Sequence, residues 1–201
     1  MEGSREGSRA ADEKDLDPRV RRTRKMLQDA LASLLKKKDF DKISIGDIAE
    51  ESTLNRATFY DHYPDKFSLL ECLVGSQFQE LIAQRNICFN GCAGALRSIA
   101  TGVCCYLAET MKPGGWWQAG APMDTAIVAV IRRLILEGFE QHPPKPGVPV
   151  EIASSTIAWA IYGAAKEWAQ SPKRISVDKI GGTIERIVAP LLTALVEEPS
   201  A

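Results

Sequence analysis

Two helix-start signals follow each other closely in the first third of the chain, and they constrain its fold more than any other feature. Ser44 and Asp47 match a variant of the capping box, in which each side chain bonds to the backbone N–H of the other residue. Asn55 is a favourable N-cap for a second helix over residues 56–63, which Pro64 would end. Two short helices joined by a tight turn have the arrangement of a helix-turn-helix.

Longer amphipathic helices are expected on both sides of this pair. After Pro18, apolar residues recur at steps of three and four, which predicts a helix with the three lysines of residues 36–38 in its last turn. Its apolar face consists of Met26, Leu27, Ala30, Leu31, Leu34 and Leu35. Asp65 is expected to cap a helix over about residues 66–86. Nearby side chains expected in the core are Phe59, Tyr63, Phe67, Leu69 and Leu70.

The rest of the chain also has helical patterning. No segment shows the alternation of apolar and polar residues that predicts a strand, so the predicted fold class is all-α. Further helices are expected over residues 91–110, 123–140, 150–169 and 177–196. The predicted organisation is a disordered tail over residues 1–17, a three-helix helix-turn-helix domain over residues 18–78 and a second helical domain over residues 79–198.

Charge is distributed unevenly along the chain. The 201 residues carry 25 basic and 26 acidic side chains, a formal net charge of −1, so no global field attracts nucleic acid or acidic membranes. Residues 19–70 nevertheless contain eleven basic and eight acidic side chains. Any binding of a polyanion must therefore come from a local basic patch. That patch begins with Arg19, Arg21, Arg22, Arg24 and Lys25.

Composition argues against several classes of protein. The chain has only two histidines, which argues against a histidine-centred active site or a histidine-rich metal site. Its five cysteines lack the spacing of a disulfide framework, which favours the cytoplasm, and no apolar run is long enough to span a membrane. We therefore expect no cofactor, no metal, no membrane partner and no enzymatic activity. A thiol-dependent enzyme that uses Cys104 or Cys105 is one alternative.

The motif residues resemble one known family. They are Phe40-x-x-Ile43-Ser44-Ile45-x-x-Ile48-Ala49, then Asn55-Arg56-Ala57-Thr58-Phe59-Tyr60-Asp61-His62-Tyr63, then Lys66-Phe67-x-Leu69-Leu70. In this order and spacing they resemble the N-terminal domain of the tetracycline-repressor (TetR) family. The resemblance implies a homodimeric transcriptional regulator of the cytoplasm, a repressor that binds a palindromic operator in double-stranded DNA and is released by a small molecule. An interaction module that kept the fold and lost DNA binding is a second alternative.

The resemblance makes the helix that follows Asn55 the recognition helix. An α-helix fits the major groove and meets base edges with residues near its N-terminus, so Arg56 is expected on guanine, with Ala57 small enough for the backbone to approach. Asn55 either reaches an adenine edge or only caps the helix. Phosphate contacts are expected from Arg22, Arg24, Ser44, Thr58, Tyr60, His62 and Lys66. A buried capping role is the alternative for His62.

The turn and its surroundings depart from the family pattern. Thr53 stands where the family often has glycine, and a β-branched residue is poorly suited to positive φ. We therefore expect the turn to follow a different backbone path. Asp61 and Asp65 bring negative charge near the expected phosphates, so DNA binding requires both carboxylates to point away from the duplex.

For the second domain the resemblance implies an effector site and a dimer interface. Candidates to line the effector site are Phe78, Phe89, Tyr106, Met111, Trp116, Trp117, Met123 and Phe139. Few charged residues occur in these helices, which favours an apolar or aromatic effector. Candidates for the dimer interface are Ile152, Thr156, Trp159, Gly163, Ile184, Ile187 and Leu191. The alternative for both sets is packing within one subunit.

Overall fold

The structure is a computed structural model that describes residues 17–85, 87, 91–111, 120–145 and 147–195, with the side chains of residues 91–93 left aside. The predicted tail therefore lies outside the described residues, except for Asp17. The part of the chain that is described is helical and contains no strand, which confirms the all-α prediction. Its helices are α1 (Pro18–Leu35), α2 (Ile45–Glu51), α3 (Arg56–His62), α4 (Lys66–Gln84), α5 (Gly91–Thr110), α6 (Ala121–Gln141), α7 (Val150–Gln170) and α8 (Val177–Leu195), with a 3₁₀ turn at Phe40–Lys42.

The helix ends follow local sequence signals, with small differences from the predicted boundaries. α1 ends at Leu35, so the lysines of residues 36–38 follow the helix, and their predicted place in its last turn is wrong. α3 ends at His62 because Tyr63, which precedes a proline, has an extended backbone. Asp65 caps α4 as predicted, since its Oδ1 accepts a hydrogen bond of 2.7 Å from the Ser68 N–H.

The chain divides into two compact units, of which the first ends at Leu69. Its core is formed by the apolar face of α1 together with side chains from the 3₁₀ turn, α2 and α3. The fully buried members include Leu27, Leu31, Phe40, Ile43, Ile48 and Phe59. Gln28 is also buried and donates a hydrogen bond of 3.3 Å to the Tyr63 hydroxyl, so Tyr63, which is buried as expected, contacts α1.

The second unit begins at Leu70 and has its most extensive packing between α5 and α8 and between α6 and α7. Glycines allow helices to approach closely in this unit. A Cβ added at Gly181 on α8 would overlap Thr101 on α5, and one added at Gly102 would lie 3.0 Å from the Phe78 ring. Among the described residues, no helix is both long enough and apolar enough to span a membrane.

Candidate functional site

The start of α2 is fixed by the predicted capping box. The Asp47 Oδ2 accepts hydrogen bonds of 2.7 Å from both the N–H and the hydroxyl of Ser44, and the Asp47 N–H donates to the Ser44 Oγ over 3.1 Å. Lys38 adds an ion pair of 3.0 Å to the same carboxylate. These hydrogen bonds from Ser44 and Lys38 hold the pKa of Asp47 well below its ordinary value. The Ser44 hydroxyl is therefore used within α2, and its contact with a phosphate stays a prediction.

The turn between α2 and α3 closes with two backbone hydrogen bonds. The Thr53 N–H donates to the Glu50 carbonyl over 3.0 Å, and the Leu54 N–H donates to the Ala49 carbonyl over 2.9 Å. This is the Schellman arrangement, in which the residue after the C-cap takes a left-handed conformation and is most often glycine. Thr53 has a φ of 57°. The expected change of backbone path is therefore wrong, because threonine adopts the conformation that glycine would otherwise supply.

The first turn of α3 is capped from within. The Asn55 Oδ1 accepts hydrogen bonds from the Thr58 N–H at 2.7 Å and from the Thr58 hydroxyl at 3.1 Å. The predicted N-cap is thus confirmed, and adenine reading by Asn55 stays a prediction. Phe59 is buried on the inner side of the helix, whereas Ala57 is exposed and Tyr60 keeps 57% of its surface in solvent. α3 therefore presents its N-terminal and outer residues to an external partner.

Arg56, the first residue of α3, is also exposed. Its guanidinium lies against Gly46 in α2, so close that a Cβ added at Gly46 would meet three of its atoms. In the part of the chain that the structure describes, this side chain has neither an ion pair nor a hydrogen bond. A cation in this state is available to an incoming acceptor.

Lys66 has partners that the sequence did not predict. Its Nζ donates to the backbone carbonyls of Phe40 at 3.0 Å, Asp41 at 3.3 Å and Ile43 at 2.9 Å. The same ammonium lies 4.6 Å from the centroid of the Phe40 ring. It therefore connects the start of α4 to the 3₁₀ turn, and its contact with a phosphate stays a prediction.

The remaining predicted phosphate contacts differ in exposure. Arg22 is exposed, while Arg24 is partly buried, with its guanidinium carbon 5.8 Å from the centroid of the Tyr63 ring. The Arg24 Nε is buried and has no hydrogen-bond partner among the described residues. His62 is partly buried at the last position of α3, so the structure leaves both of its predicted roles open.

One core prediction in this unit is wrong. Phe67 is 54% exposed, although its ring makes an edge contact with Phe40 at a centroid distance of 5.3 Å. Phe67 lies on the outer face of α4 in its first turn, whereas Leu69 and Leu70 are buried as predicted.

Comparisons with known proteins identify relatives of the segment that contains α2 and α3. A family model described as bacterial regulatory proteins, tetR family, matches residues 27–73, which include α2, the turn, α3 and the start of α4. This segment belongs to the TetR family. An uncharacterized HTH-type transcriptional regulator of Bacillus subtilis, YxbF, is 45% identical over 71 residues, which are 35% of this chain and 19% of the relative. The match thus spans about a fifth of the length of that curated relative.

Solved structures extend the likeness of fold beyond the TetR-family segment. Lin0861 from Listeria innocua superposes with a TM-score of 0.63 at 20% identity, over 89% of this chain and 94% of that one. A TetR transcriptional regulator from Rhodococcus sp. RHA1 superposes with a TM-score of 0.54 at 14% identity, over 88% of this chain and all of that one. At these identities the likeness concerns the fold alone.

The predicted effector-site residues that can be placed are mostly buried in the second unit. Phe78, Tyr106, Met123 and Phe139 are buried, and Met111 is partly buried. The Tyr106 hydroxyl donates to the Gln77 Oε1 over 3.1 Å, and burial raises the pKa of Tyr106. Three further candidates lie outside the described residues, and they are Phe89, Trp116 and Trp117.

A polar cluster between α6 and α7 was not predicted from the sequence. Tyr162 is buried and donates its hydroxyl to the Asp124 Oδ1, while the Lys166 Nζ donates to the Asp124 Oδ2 over 2.6 Å. Burial and the hydrogen bond to Asp124 raise the pKa of Tyr162. The signal that was available is the spacing of Tyr162 and Lys166, which places them one turn apart on a single face of α7.

Most of the predicted dimer-interface residues are exposed in the single chain. Ile152 is 66% exposed, Trp159 49% and Ile187 62%, and Thr156, Gly163 and Leu191 are exposed as well. Ile184 is different, because it has 0% exposure and packs inside the second unit. Its place at a dimer interface is therefore wrong, since an interface residue must be reachable by the partner.

The cysteines that were considered as nucleophiles are buried. Burial raises the pKa of Cys104 to about 12 and also raises the pKa of Cys105. A thiol with a raised pKa is protonated at neutral pH and is a poor nucleophile. Within the described ranges, no three His, Cys, Asp or Glu side chains are grouped in a way that could hold a metal ion.

Proposed function

We propose that this protein is a homodimeric transcriptional repressor that binds a palindromic operator through α3 and is released by a small-molecule effector. The observation that carries the proposal is the way α3 presents its surface. Asn55 caps the helix and Phe59 anchors it in the core, while Arg56, Ala57 and Tyr60 are exposed at its start and outer face. Residues in this position on a helix-turn-helix contact base edges.

The proposed roles on DNA follow from side-chain chemistry. Arg56 reads a guanine through two hydrogen bonds to its O6 and N7, and Ala57 leaves room for the backbone to approach the groove. The amide NH₂ group of Asn55 remains available for an adenine edge, because its Oδ1 is the atom that caps α3. Side chains proposed to position the protein on phosphates are Arg22, Arg24, Ser44, Thr58, Tyr60, His62 and Lys66.

The exposed apolar residues of α7 and α8 support the dimer in this proposal. Ile152, Thr156, Trp159 and Gly163 form one stripe on α7, and Ile187 and Leu191 form another on α8. An aromatic residue surrounded by aliphatic side chains and glycine is typical of the centre of an interface. A two-fold dimer would present two copies of α3 to half-sites separated by about one DNA turn, roughly 34–36 Å.

The second unit is proposed to bind an apolar or aromatic effector, since its buried aromatic and methionine side chains offer few charges to a ligand. To convert an equilibrium from 99:1 bound to 1:99, the effector must prefer the released form by about 10⁴-fold. A repressor of this kind acts in the cytoplasm, where the DNA is, and needs no cofactor or membrane partner.

The test is a selection of bound fragments from random duplex DNA with the purified full chain, at about 50 mM and about 200 mM salt. The expected result is one enriched palindrome, with binding that weakens steeply at the higher salt because phosphate contacts release counterions. Arg56→Ala should weaken binding to this palindrome by about 10- to 100-fold. Arg186→Ala, which removes an exposed arginine of the second unit, is the matched control and should leave binding unchanged.

Failure of the selection would favour the alternative that the fold is kept without DNA binding. In that case Arg56→Glu would leave the cellular role of the protein intact, whereas in a repressor it abolishes retardation of the operator. The thiol-dependent alternative predicts an activity that is lost in Cys104→Ala or Cys105→Ala. The raised pKa of both thiols argues against it.

A further inference from the structure

Gly46 occupies an unfavourable place for glycine. It is the second residue of α2, and glycine is less favourable in a helix than every other residue except proline. At this position a side chain would meet the guanidinium of Arg56. A Cβ added at Gly46 would lie 3.2 Å from both the Cζ and the Nε of Arg56, and closer still to its Nη2. The absence of a side chain at Gly46 therefore leaves free the space that the Arg56 guanidinium occupies beside α2.

In the described part of the chain, the Arg56 head group is not fixed by polar contacts. It has no ion pair and no hydrogen bond there, and the residue is exposed. A free arginine side chain samples many rotamers, and fixing one of them on binding has an entropic cost. Its planar, weakly hydrated guanidinium can rest on an uncharged surface such as the backbone of a glycine. Contact with Gly46 thus restricts the head group before any ligand arrives.

We infer that Gly46 is a positioning residue for Arg56 and sets the angle from which this arginine reads its base pair. The inference rests on the proposed function and extends it from α3 to α2. Bidentate reading of guanine requires the plane of the guanidinium to match the O6 and N7 of the base. A surface that holds the plane in advance improves both affinity and discrimination at that base pair, and it has no effect at base pairs that other residues read.

The variant Gly46→Ala is suited to the test because it should fold. All three atoms that the new Cβ would meet belong to the far end of a flexible side chain, so Arg56 moves away and the helix stays intact. Alanine also has the higher helix propensity. Gly138→Ala on α6 is the matched control, since a Cβ there has none of the described atoms within 4 Å. Gly46→Ser carries the same Cβ and should repeat the result.

The experiment uses the full chain and the palindrome selected by the wild type, with binding to every single-base-pair variant of that palindrome measured by retardation. Arg56→Ala first identifies the base pair that Arg56 reads. Gly46→Ala should then weaken binding by about tenfold and lose preference at that base pair alone. The double variant Gly46→Ala/Arg56→Ala should bind as Arg56→Ala does, because the glycine acts through the arginine. Gly138→Ala should match the wild type, and the unfolding temperature of Gly46→Ala should not fall.

Four results would overturn the inference. The first is that Gly46→Ala matches the wild type in affinity and base preference. The second is that it binds more tightly, which would mean that Gly46 holds the arginine away from its working position. The third is that it weakens binding equally at all base pairs, and the fourth is that it weakens binding further in the Arg56→Ala background. Either result would mean that the substitution acts through the structure of α2 and not through Arg56. In these cases the proposed function stands. If the wild type selects no sequence, the proposed function fails and the inference fails with it.

Discussion

The two units of the molecule differ in how their helix ends are closed and in what their helices leave exposed. In the first unit, short-range polar contacts close the helix ends, as Asp47, Asn55 and Asp65 each bond to a backbone N–H three residues away. In the second unit, large apolar side chains such as Trp159 and Ile187 remain on the surface of α7 and α8. The capping side chains of the first unit thus bond within that unit, whereas α7 and α8 of the second unit leave apolar surface that a binding partner could cover.

The groups that remain without partners therefore differ between the two units. In the first unit the capping side chains bond to its own backbone, and the exposed residues of α3 are Arg56, Ala57, Tyr60 and Asp61. A unit with an exposed apolar stripe requires a covering surface, because contiguous apolar patches mark interaction sites. The proposed DNA binding thus relies on exposed polar groups of α3, and the proposed dimerisation relies on exposed apolar side chains of α7 and α8.

The largest effect is expected when the exposed apolar surface of the second unit is changed. Trp159→Glu places a charge at the centre of the proposed interface and should weaken the dimer by at least about 3 kcal/mol, which is more than a hundredfold in the dissociation constant. Sedimentation velocity measures this shift, and circular dichroism should show that helix content is kept. Ile175→Glu replaces a residue of similar exposure between α7 and α8 and serves as the control. An unchanged dissociation constant for Trp159→Glu would place the interface elsewhere.

A smaller effect is expected when the hydrogen bonds that Lys66 donates within the first unit are removed. Lys66→Met leaves three backbone carbonyls without their donor and should lower the free energy of unfolding by about 2 kcal/mol. Lys42→Met removes only an exposed ion pair with Asp39 and should lower it by less than about 0.5 kcal/mol. Urea denaturation compares the two variants. Equal effects would show that the carbonyl contacts of Lys66 contribute nothing beyond those of a surface lysine.

A substitution at Thr53, in the left-handed turn between α2 and α3, should increase stability. Thr53→Gly removes the strain of a β-branched residue at positive φ, which is about 1–2 kcal/mol. Glycine also increases the entropy of the unfolded chain, and this offsets part of the gain in stability. We expect a net gain of about 0.5–1 kcal/mol in the free energy of unfolding, measured in urea. Ser52→Gly, at the preceding residue with an ordinary φ of −82°, should be destabilising. Loss of stability in Thr53→Gly would mean that the threonine is held without strain.

The smallest effect concerns pH and the capping box. The pKa of Asp47 lies below the ordinary value of 3.8, so the folded state binds fewer protons than the unfolded state in this range. The stabilisation from Asp47 is therefore complete above that value and is lost as the pH falls below it. The urea midpoint of Asp47→Asn should vary less with pH between about 5 and about 2 than that of the wild type. If Asp47→Asn kept the pH dependence of the wild type, Asp47 would contribute no pH-dependent stability in this range.

The features that were predicted from sequence are those whose partners lie within one helical turn. Ser44, Asn55 and Asp65 could be assigned as caps because each bonds to a residue three positions away. The carbonyl partners of Lys66 and the contact between Arg56 and Gly46 join separate segments of the first unit, so no local pattern indicates them. Ile184 and Phe67 were misplaced for the same reason, since periodicity gives the face of a helix but not what covers that face.

The position of Lys66 has a consequence for the segment between the 3₁₀ turn and α4. This stretch of chain contains α2 and α3. The Lys66 ammonium connects its two ends by donating hydrogen bonds to the carbonyls of Phe40 and Ile43. The position of α3 therefore depends in part on hydrogen bonds made by Lys66, which joins the segments on either side of α2 and α3. Loss of these hydrogen bonds would weaken the proposed fit of α3 to every base pair at once, without changing any side chain that is proposed to contact a base.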